Sequence, residues 1–223
     1  MKIGFLQSIL LIRDLKKKKS FVKFLASTSL KTKLLGNILY SGGQHRIYEY
    51  GKRHVVKVVK SDFIHNLFGI HSIKEIKKEV TLLRKYFPNQ YLKTKIFESE
   101  IYPYYVIYQP RIDKIKHANT RLIKKHKASF FDLLKQNTKM EQETGYFLDL
   151  FGRHGLIQTF MYFLKERKIR IFLRNIAFHK NQFLIIDTNL LRINEKSERN
   201  IIKRIRFQAL KYIYEKLIEL SLK

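Results

Sequence analysis

An asparagine and an aspartate flank an apolar–polar–apolar stretch in the C-terminal half of the chain. Asn175 comes directly before residues 176–178, and Asp187 follows residues 183–186, 12 positions after the asparagine. Two short apolar runs separated by the polar residues 179–182 predict a β-hairpin. Amide and carboxylate oxygens at the ends of such a hairpin can hold the metal ions that bind nucleotide phosphates. The alternative is an ordinary hairpin with polar flanks.

Two glycines upstream are candidates for phosphate binding. Gly42 and Gly43 separate two runs of alternating apolar and polar residues, where a turn between strands is expected. Glycines allow backbone N–H groups to approach a phosphate closely. A simple hairpin turn is the alternative interpretation.

A lysine and a glutamate form the next candidate pair. Lys57 stands within V-V-K-V-V, and a lysine buried in such a strand needs a partner. In a nucleotide site that lysine neutralises phosphates and is held by a helix glutamate. Glu79 is preferred over Glu75, because it adjoins the apolar face formed by Ile76 and Val80. The alternatives are an exposed strand lysine and a surface glutamate.

The apolar patterning predicts the elements that position these residues. Alternation from residue 35 predicts three antiparallel strands, and helical spacing predicts a helix over residues 72–87. Two more strands are expected near residues 95–97 and 104–108. Residues 109–111 form a connector in which Gln109 is expected to contact nucleotide. Beyond it, helices are predicted over residues 121–135, 148–167 and 197–222, with the hairpin before the last.

This order of elements predicts an α+β fold of the two-lobed protein-kinase-like type. Residues 1–34 form a basic helical extension, residues 35–110 a small antiparallel-sheet lobe, and residues 111–223 a mostly helical lobe with the hairpin. The expected cofactors are ATP and Mg²⁺. The expected nucleotide contacts are Gly42, Gly43, Lys57, Glu79 and Gln109, and the expected metal ligands are Asn175 and Asp187.

The chain also resembles the YrbL family, small bacterial proteins of the PhoP regulatory network that belong to the kinase-like superfamily. The resemblance covers about residues 35–195 and leaves the N-terminal extension outside. It is carried by Y-S-G-G-Q-H-R-I-Y, V-V-K-V-V, K-E-I-K-K-E-V, N-I-A-F and I-I-D-T-N. It implies a kinase-like fold with a nucleotide site.

The sequence departs from an active kinase around the catalytic loop. Arg170 stands where the catalytic aspartate is expected, five residues before the asparagine, and no acidic residue lies between Glu166 and Asp187. Thr188 and Asn189 replace the usual Phe-Gly after the metal-binding aspartate. A missing general base costs about 10²–10⁴-fold in rate. The expectation is therefore a Mg-ATP-binding protein, either an atypical phosphotransferase or a pseudokinase with a regulatory role.

The formal net charge of +28 predicts attraction to phosphate-bearing partners. An anionic membrane surface or lipopolysaccharide is an expected partner, and an anionic glycolipid is an expected phosphate acceptor. Nucleic acid is expected to bind only weakly and without specificity. Alternatively, the scattered lysines reflect composition alone. The chain has no cysteine, which excludes disulfides, thiolate metal sites and cysteine nucleophiles.

The N-terminal residues combine apolar and basic character. An apolar run over residues 3–12 precedes Lys16–Lys19, the reverse of the order in a signal peptide, and no run reaches the roughly 18 residues of a spanning helix. The expected location is cytoplasmic, with peripheral association at the inner face of the membrane. The extension is predicted either to lie at an anionic membrane surface or to pack on the small lobe.

Two rival functions remain open from the sequence. One is nucleic-acid binding, in which Tyr102, Tyr104, Tyr105 and Tyr108 near Arg111 would stack on bases. Alternation in that stretch favours a strand in the core instead. The other is a membrane-associated scaffold without a nucleotide site.

Overall fold

The computed structural model describes residues 22, 24–41, 45–59, 73–99, 105–113, 115–195 and 197–223. The chain forms two compact units. The first comprises Met1–Lys78 and Lys93–Ile112, and the second Glu79–Leu92 and Asp113–Lys223. Gly42 and Gly43 lie outside the described residues, as do Tyr102, Tyr104 and most of the N-terminal extension.

A five-stranded antiparallel sheet dominates the first unit. Its strands are β1 (Leu35–Ser41), β2 (His45–Tyr50), β3 (His54–Val59), β4 (Lys95–Glu98) and β5 (Tyr105–Pro110). They are arranged in the order β1-β2-β3-β5-β4. Helix α1 (Ile73–Tyr86) follows β3. Ile76 of this helix packs against Tyr105 and Ile107 of β5, as its position on the apolar face predicts.

The core of the sheet includes residues from the N-terminal extension. Phe24 and Leu25 are fully buried, and they pack with Tyr48, Val56 and Val106 of the sheet. This part of the extension thus follows the second of its two predicted arrangements, packing on the small lobe. Burial of two large apolar side chains contributes about 1.5–3 kcal/mol each to folding.

The aromatic residues of β5 also belong to the sheet core. Tyr105 is buried, and the ring of Tyr108 packs edge-on against Tyr50 and Phe97. His54 stacks on the same ring at 4.5 Å between centroids. Rings held in this way pack within the sheet, as the alternation of the sequence predicts.

The second unit is mostly helical. Its helices are α2 (Thr120–Lys125), α3 (Lys127–Thr144), α4 (Gly152–Glu166) and α5 (Ile201–Leu222). Its strands are β6 (Lys116–Asn119), β7 (Tyr146–Leu148), β8 (Phe172–His179), β9 (Gln182–Ile185) and β10 (Leu190–Arg192). They form two small antiparallel sheets, one with the order β6-β8-β9 and one that pairs β10 with β7.

The predicted fold class is confirmed. The chain is α+β, with an antiparallel sheet near the N-terminus and a mostly helical C-terminal part. The element order also follows the expectation, with three strands, a helix and two strands before the helical part. In the described residues, no helix combines the length and the apolar character needed to cross a membrane.

The structure corrects two predicted helices. The helix expected over residues 121–135 is interrupted at His126, whose backbone leaves the helical region between α2 and α3. Leu148 was expected in the next helix but lies in β7, and α4 begins only at Gly152. Burial of three consecutive residues in β7 explains the error, since a short apolar run fits a buried strand as well as a helix.

Candidate functional site

The predicted hairpin is present and brings Asn175 close to Asp187. Strands β8 and β9 pair from Ile176 with Ile185 to His179 with Gln182. The turn residues Lys180 and Asn181 both have positive φ, the pattern of a tight two-residue hairpin turn. Asn175 lies within β8, one residue before this paired segment, and its carbonyl accepts from the backbone N–H of Ile186, just after β9, at 3.0 Å. Asp187 is the next residue, so the amide and the carboxylate leave the same end of the hairpin.

A second aspartate joins this end of the hairpin through the pairing of β7 with β10. Asp149 follows β7 directly, and its N–H donates to the carbonyl of Asn189 at 3.2 Å. The side-chain Nδ2 of Asn175 donates to the carbonyl of Asp149 at 2.7 Å. The N–H of Asn175 also donates to the carbonyl of Leu150. Three segments that are distant in sequence therefore converge within the second unit.

The carboxylate of Asp149 is held by two donors. The backbone N–H of Gly152 and the hydroxyl of Tyr214 on α5 both donate to its Oδ1 at 2.8 Å. Burial raises the pKa of the Asp149 carboxyl, and the nearby Asp187 raises it further, while the two hydrogen bonds oppose the shift. Burial also raises the pKa of the Tyr214 hydroxyl, which therefore stays protonated and serves as a donor.

Gly152 allows the close packing around Asn175. Its φ of 60° lies in the left-handed region, where other residues are strained. A Cβ at this position would lie 2.9 Å from Oδ1 of Asn175. The glycine thus permits both the turn into α4 and the approach of the asparagine side chain, which is 7% exposed.

Asp149 was not predicted as a site residue, because it is far from Asn175 in the sequence. Helix α4 and the loop after it separate the two residues by 26 positions. The sequence carries no motif that marks this aspartate, which lies two residues before the N-cap residue Phe151 and accepts from the N–H of Gly152. Only the β7–β10 pairing shows that this aspartate lies beside the hairpin.

The donor set at the hairpin end fits a magnesium ion in its chemistry. Asp187, Asp149 and Asn175 offer carboxylate and amide oxygens, which are the ligands that Mg²⁺ prefers. Oδ1 of Asp187 accepts from the N–H of Thr188 at 2.9 Å, which orients the carboxylate. Within the described residues, no group of three or more His, Asp or Glu side chains is placed to hold a metal. Phosphate oxygens and water would have to complete the coordination.

In the first unit, Lys57 and Gln109 are both buried in the sheet. Lys57 is only 9% exposed and stands in register with Ile47 on one side and Ile107 on the other. Gln109 in β5 donates through Nε2 to Oγ1 of Thr94 at 2.7 Å. Gln109 therefore lies within a strand and not in the connector that the sequence predicted.

In the second unit, Glu79 has a cationic partner that the sequence did not predict. Its Oε1 lies 3.4 Å from Nη2 of Arg192 in β10, and Nη1 of the same arginine lies 3.7 Å from Glu198. Glu79 is 1% exposed, as its place on the apolar side of α1 indicates.

Arg170, which stands at the expected catalytic position in the sequence, is held by aromatic rings. Its guanidinium carbon lies 5.6 Å from the ring centroid of Tyr162 and 5.4 Å from that of Phe172. These are cation–π distances. The side chain therefore links α4 to the start of β8.

Comparison with known proteins identifies no family. No family model matches the sequence, and no curated protein matches it. Among solved structures, the chain is similar to the streptomycin–ATP–APH(2")-IIa ternary complex, with 12% identity over 91% of this chain and 83% of that chain and a TM-score of 0.37. Function is therefore inferred from the site residues themselves, and the resemblance to the YrbL family stays a prediction.

Proposed function

We propose that this chain is a kinase-like protein that binds Mg-ATP. The observation that carries the proposal is the convergence of Asn175, Asp187 and Asp149 at one end of the β8–β9 hairpin. Oxygen ligands placed in this way match the metal-holding asparagine and aspartate of nucleotide-dependent phosphotransferases. The buried Lys57 in β3, followed by a helix that carries the buried Glu79, supports the same proposal.

Each residue has a role in this proposal. Asn175 and Asp187 would hold Mg²⁺, which neutralises phosphate charge when it is bound. Lys57 and the backbone at Gly42 and Gly43 would contact phosphates, and Gln109 would contact the nucleotide. Glu79 acts as a positioning residue, since it is fully buried on α1.

Asp149 is the candidate for the general base, a residue that the sequence does not supply between Glu166 and Asp187. It is an acidic side chain next to Asn175 and Asp187, and its raised pKa makes it more basic than an ordinary aspartate. The hydrogen bonds from Gly152 and Tyr214 orient the carboxylate. An atypical phosphotransferase would use Asp149 to accept the proton of the attacking hydroxyl, whereas a pseudokinase would use it only to hold Asn175.

The high positive charge supports an anionic acceptor or partner. A net charge of +28 attracts phosphorylated and acidic surfaces at long range. We therefore extend the proposal to an anionic glycolipid, such as a lipopolysaccharide core sugar, as the phosphate acceptor, with the protein acting at the inner face of the membrane.

Thermal unfolding tests nucleotide binding. Mg-ATP should raise the melting temperature, because a ligand at 100 times its dissociation constant stabilises the native state by about 2.7 kcal/mol. Asp187→Asn should abolish the Mg-dependent part of this shift. The same substitution at the exposed Asp113 should leave the shift intact. An unchanged melting curve of the wild type at millimolar Mg-ATP would refute the proposal.

Turnover of ATP separates the two forms of the proposal. In an active phosphotransferase, Asp149→Asn should slow Mg-dependent ATP hydrolysis by about 10²–10⁴-fold, the usual contribution of a general base. In a pseudokinase, the wild type should bind Mg-ATP without measurable hydrolysis. Equal hydrolysis by the wild type and the variant would remove Asp149 from the role of base.

A further inference from the structure

Helix α4 buries small residues and exposes large apolar ones. Its inner face carries Gly155, where an added Cβ would lie 2.2 Å from the carbonyl of Phe172 in β8. One turn later, the hydroxyl of Thr159 donates to the carbonyl of Gly155 at 2.9 Å and accepts from the N–H of Phe172 at 3.2 Å. These contacts fix which side of the helix faces the fold, because the backbones of α4 and β8 could not approach so closely with larger side chains between them.

The opposite side of α4 carries a continuous apolar stripe. Ile157, Phe160, Met161 and Leu164 are 50%, 58%, 59% and 45% exposed. Their spacing of i, i+3, i+4 and i+7 places them on one face. An amphipathic helix of a globular protein normally turns such a face to the core, so four large side chains exposed together indicate a docking surface.

Basic residues border the stripe at the C-terminal end of the helix. Lys165, Arg167 and Lys168 are exposed there, accompanied by one acidic residue, Glu166. An apolar face that ends in cations is the pattern of a helix that lies in the headgroup region of a membrane. Anionic lipid headgroups complement these cations and the net charge of +28 of the whole chain.

We propose that the exposed face of α4, formed by Ile157, Phe160, Met161 and Leu164, docks on an anionic membrane surface. The apolar side chains enter the headgroup boundary, and Lys165, Arg167 and Lys168 meet the lipid phosphates. A second copy of the chain is the less suitable occupant, since two molecules of charge +28 repel each other. Docking does not depend on nucleotide binding.

The location of α4 connects docking to the candidate site. The helix begins at Gly152, whose N–H donates to Asp149 and where an added Cβ would lie 2.9 Å from Oδ1 of Asn175. If the protein docks on the membrane through α4, the end of the β8–β9 hairpin that carries Asn175 therefore lies near the lipid headgroups. This last step, which makes the phosphate acceptor a membrane-borne molecule, rests on the proposed function.

Vesicle co-sedimentation of the full chain tests the docking surface. The probes are vesicles of phosphatidylcholine alone and of equal parts phosphatidylcholine and phosphatidylglycerol. The wild type should sediment with the anionic vesicles and be released by salt. Phe160→Ser/Met161→Ser should lower the partition coefficient at least about tenfold, because it removes two large apolar groups from the contact. Phe131→Ser on α3 is the matched control, since Phe131 is 50% exposed outside the stripe and should bind as the wild type does.

Several outcomes would overturn the proposal. Undiminished sedimentation of Phe160→Ser/Met161→Ser would show that α4 is not the contact. A lower melting temperature of this variant without vesicles, together with unchanged sedimentation, would assign the stripe to a contact within the chain. A further outcome is that the wild type dimerises at high concentration while the variant does not. If the variant also kept its vesicle binding, the stripe would be assigned to a contact with a second copy of the chain.

Two further variants make the result specific. Lys165→Gln/Lys168→Gln should weaken binding to the anionic vesicles and leave the melting temperature unchanged, and equal binding would remove the basic residues from the proposal. Asp187→Asn should sediment with anionic vesicles as the wild type does. Asp187→Asn should lose the Mg-ATP response and keep vesicle binding, whereas Phe160→Ser/Met161→Ser should lose vesicle binding and keep the Mg-ATP response. A failure of docking is thereby distinguished from a failure of nucleotide binding.

Discussion

At the scale of single residues, Gly152 is the most informative position near the candidate site. Gly152→Ala should lower the free energy of unfolding by about 1–3 kcal/mol, because it places a side chain at positive φ and against Oδ1 of Asn175. It should also reduce stabilisation by Mg-ATP, since Asn175 is displaced. Urea unfolding with and without the nucleotide measures both effects.

Gly51 provides the matched control for this variant. Its φ is also 60°, yet an added Cβ would meet nothing within 4 Å. Gly51→Ala should therefore show only the cost of backbone strain, about 1–2 kcal/mol, with full stabilisation by Mg-ATP. If Mg-ATP stabilised Gly152→Ala and Gly51→Ala equally, the contact between Gly152 and Asn175 would have no role in nucleotide binding.

Tyr214 tests the support of Asp149. Tyr214→Phe removes the hydroxyl that donates to Oδ1 of Asp149, and it should lower the free energy of unfolding by about 1–3 kcal/mol, the cost of leaving a charged acceptor without this donor. Tyr212→Phe on the same helix should change stability by less than about 0.5 kcal/mol, because Tyr212 is 62% exposed. The denaturant midpoints of the two variants give the comparison. Equal midpoints would show that the hydrogen bond from Tyr214 to Asp149 does not contribute to stability.

At the scale of elements, a half-buried histidine in β6, which pairs with β8, is expected to make the stability of the protein depend on pH. His117 in β6 stands in register with Ala177. Burial lowers the pKa of the His117 imidazole, and the positive charge of Arg174 lowers it further. The unfolded chain therefore binds a proton more readily than the folded chain does. The free energy of unfolding should have its full value above a pH of about 6.5, the pKa of a histidine in the unfolded chain, and it should fall as the pH drops through this value.

His117→Gln should flatten this dependence. The measurement is the melting temperature between neutral and mildly acidic pH, compared with His154→Gln, in which an exposed histidine of α4 is replaced. The His154 variant should follow the wild-type curve. A His117 variant with the wild-type slope would show that other groups control acid sensitivity.

Helix α4 is the element that most changes the interpretation of the sequence. It lies between β7 and β8, and so it separates Asp149 from Asn175 along the chain while the strands keep them together in space. Because this helix lies between them along the chain, Asp149 cannot be found by counting five residues back from Asn175. That count led to Arg170, which instead contacts two aromatic rings.

At the scale of the whole molecule, the net charge of +28 predicts the response to salt. Binding of nucleic acid should follow a log–log salt slope of about −0.9 per phosphate neutralised and disappear near physiological ionic strength. Filter binding of single- and double-stranded DNA across a salt series measures the slope. Tight binding that persists at physiological salt with a sequence or structure preference would favour the nucleic-acid function over nucleotide binding.

The aromatic residues near Arg111 bear on the same question. A base-stacking platform needs exposed rings, but Tyr105 is buried and Tyr108 packs against Tyr50 and Phe97. Arg111 itself lies 2.8 Å from Oε1 of Glu49. Tyr105 and Tyr108, the two described tyrosines of this region, therefore belong to the sheet core and do not form a base-stacking platform.

The amino-acid sequence by itself determined the elements whose signals are local. The hairpin around Lys180 and Asn181 follows from two short apolar runs and a polar turn, and α1 follows from apolar residues at helical spacing. Burial of Glu79 also followed from its neighbours on that helix. These features depend on interactions between residues close in the chain.

Tertiary structure decided which distant residues meet. The pairing of β7 with β10 places Asp149 beside Asn175, which is 26 positions away in the sequence. Arg192 in β10 contacts Glu79, which is 113 positions away. Tertiary structure also decided that α4 turns Gly155 inward and Phe160 outward. Periodicity shows that a helix has an apolar face, but only the backbone that packs against the helix determines which face is buried.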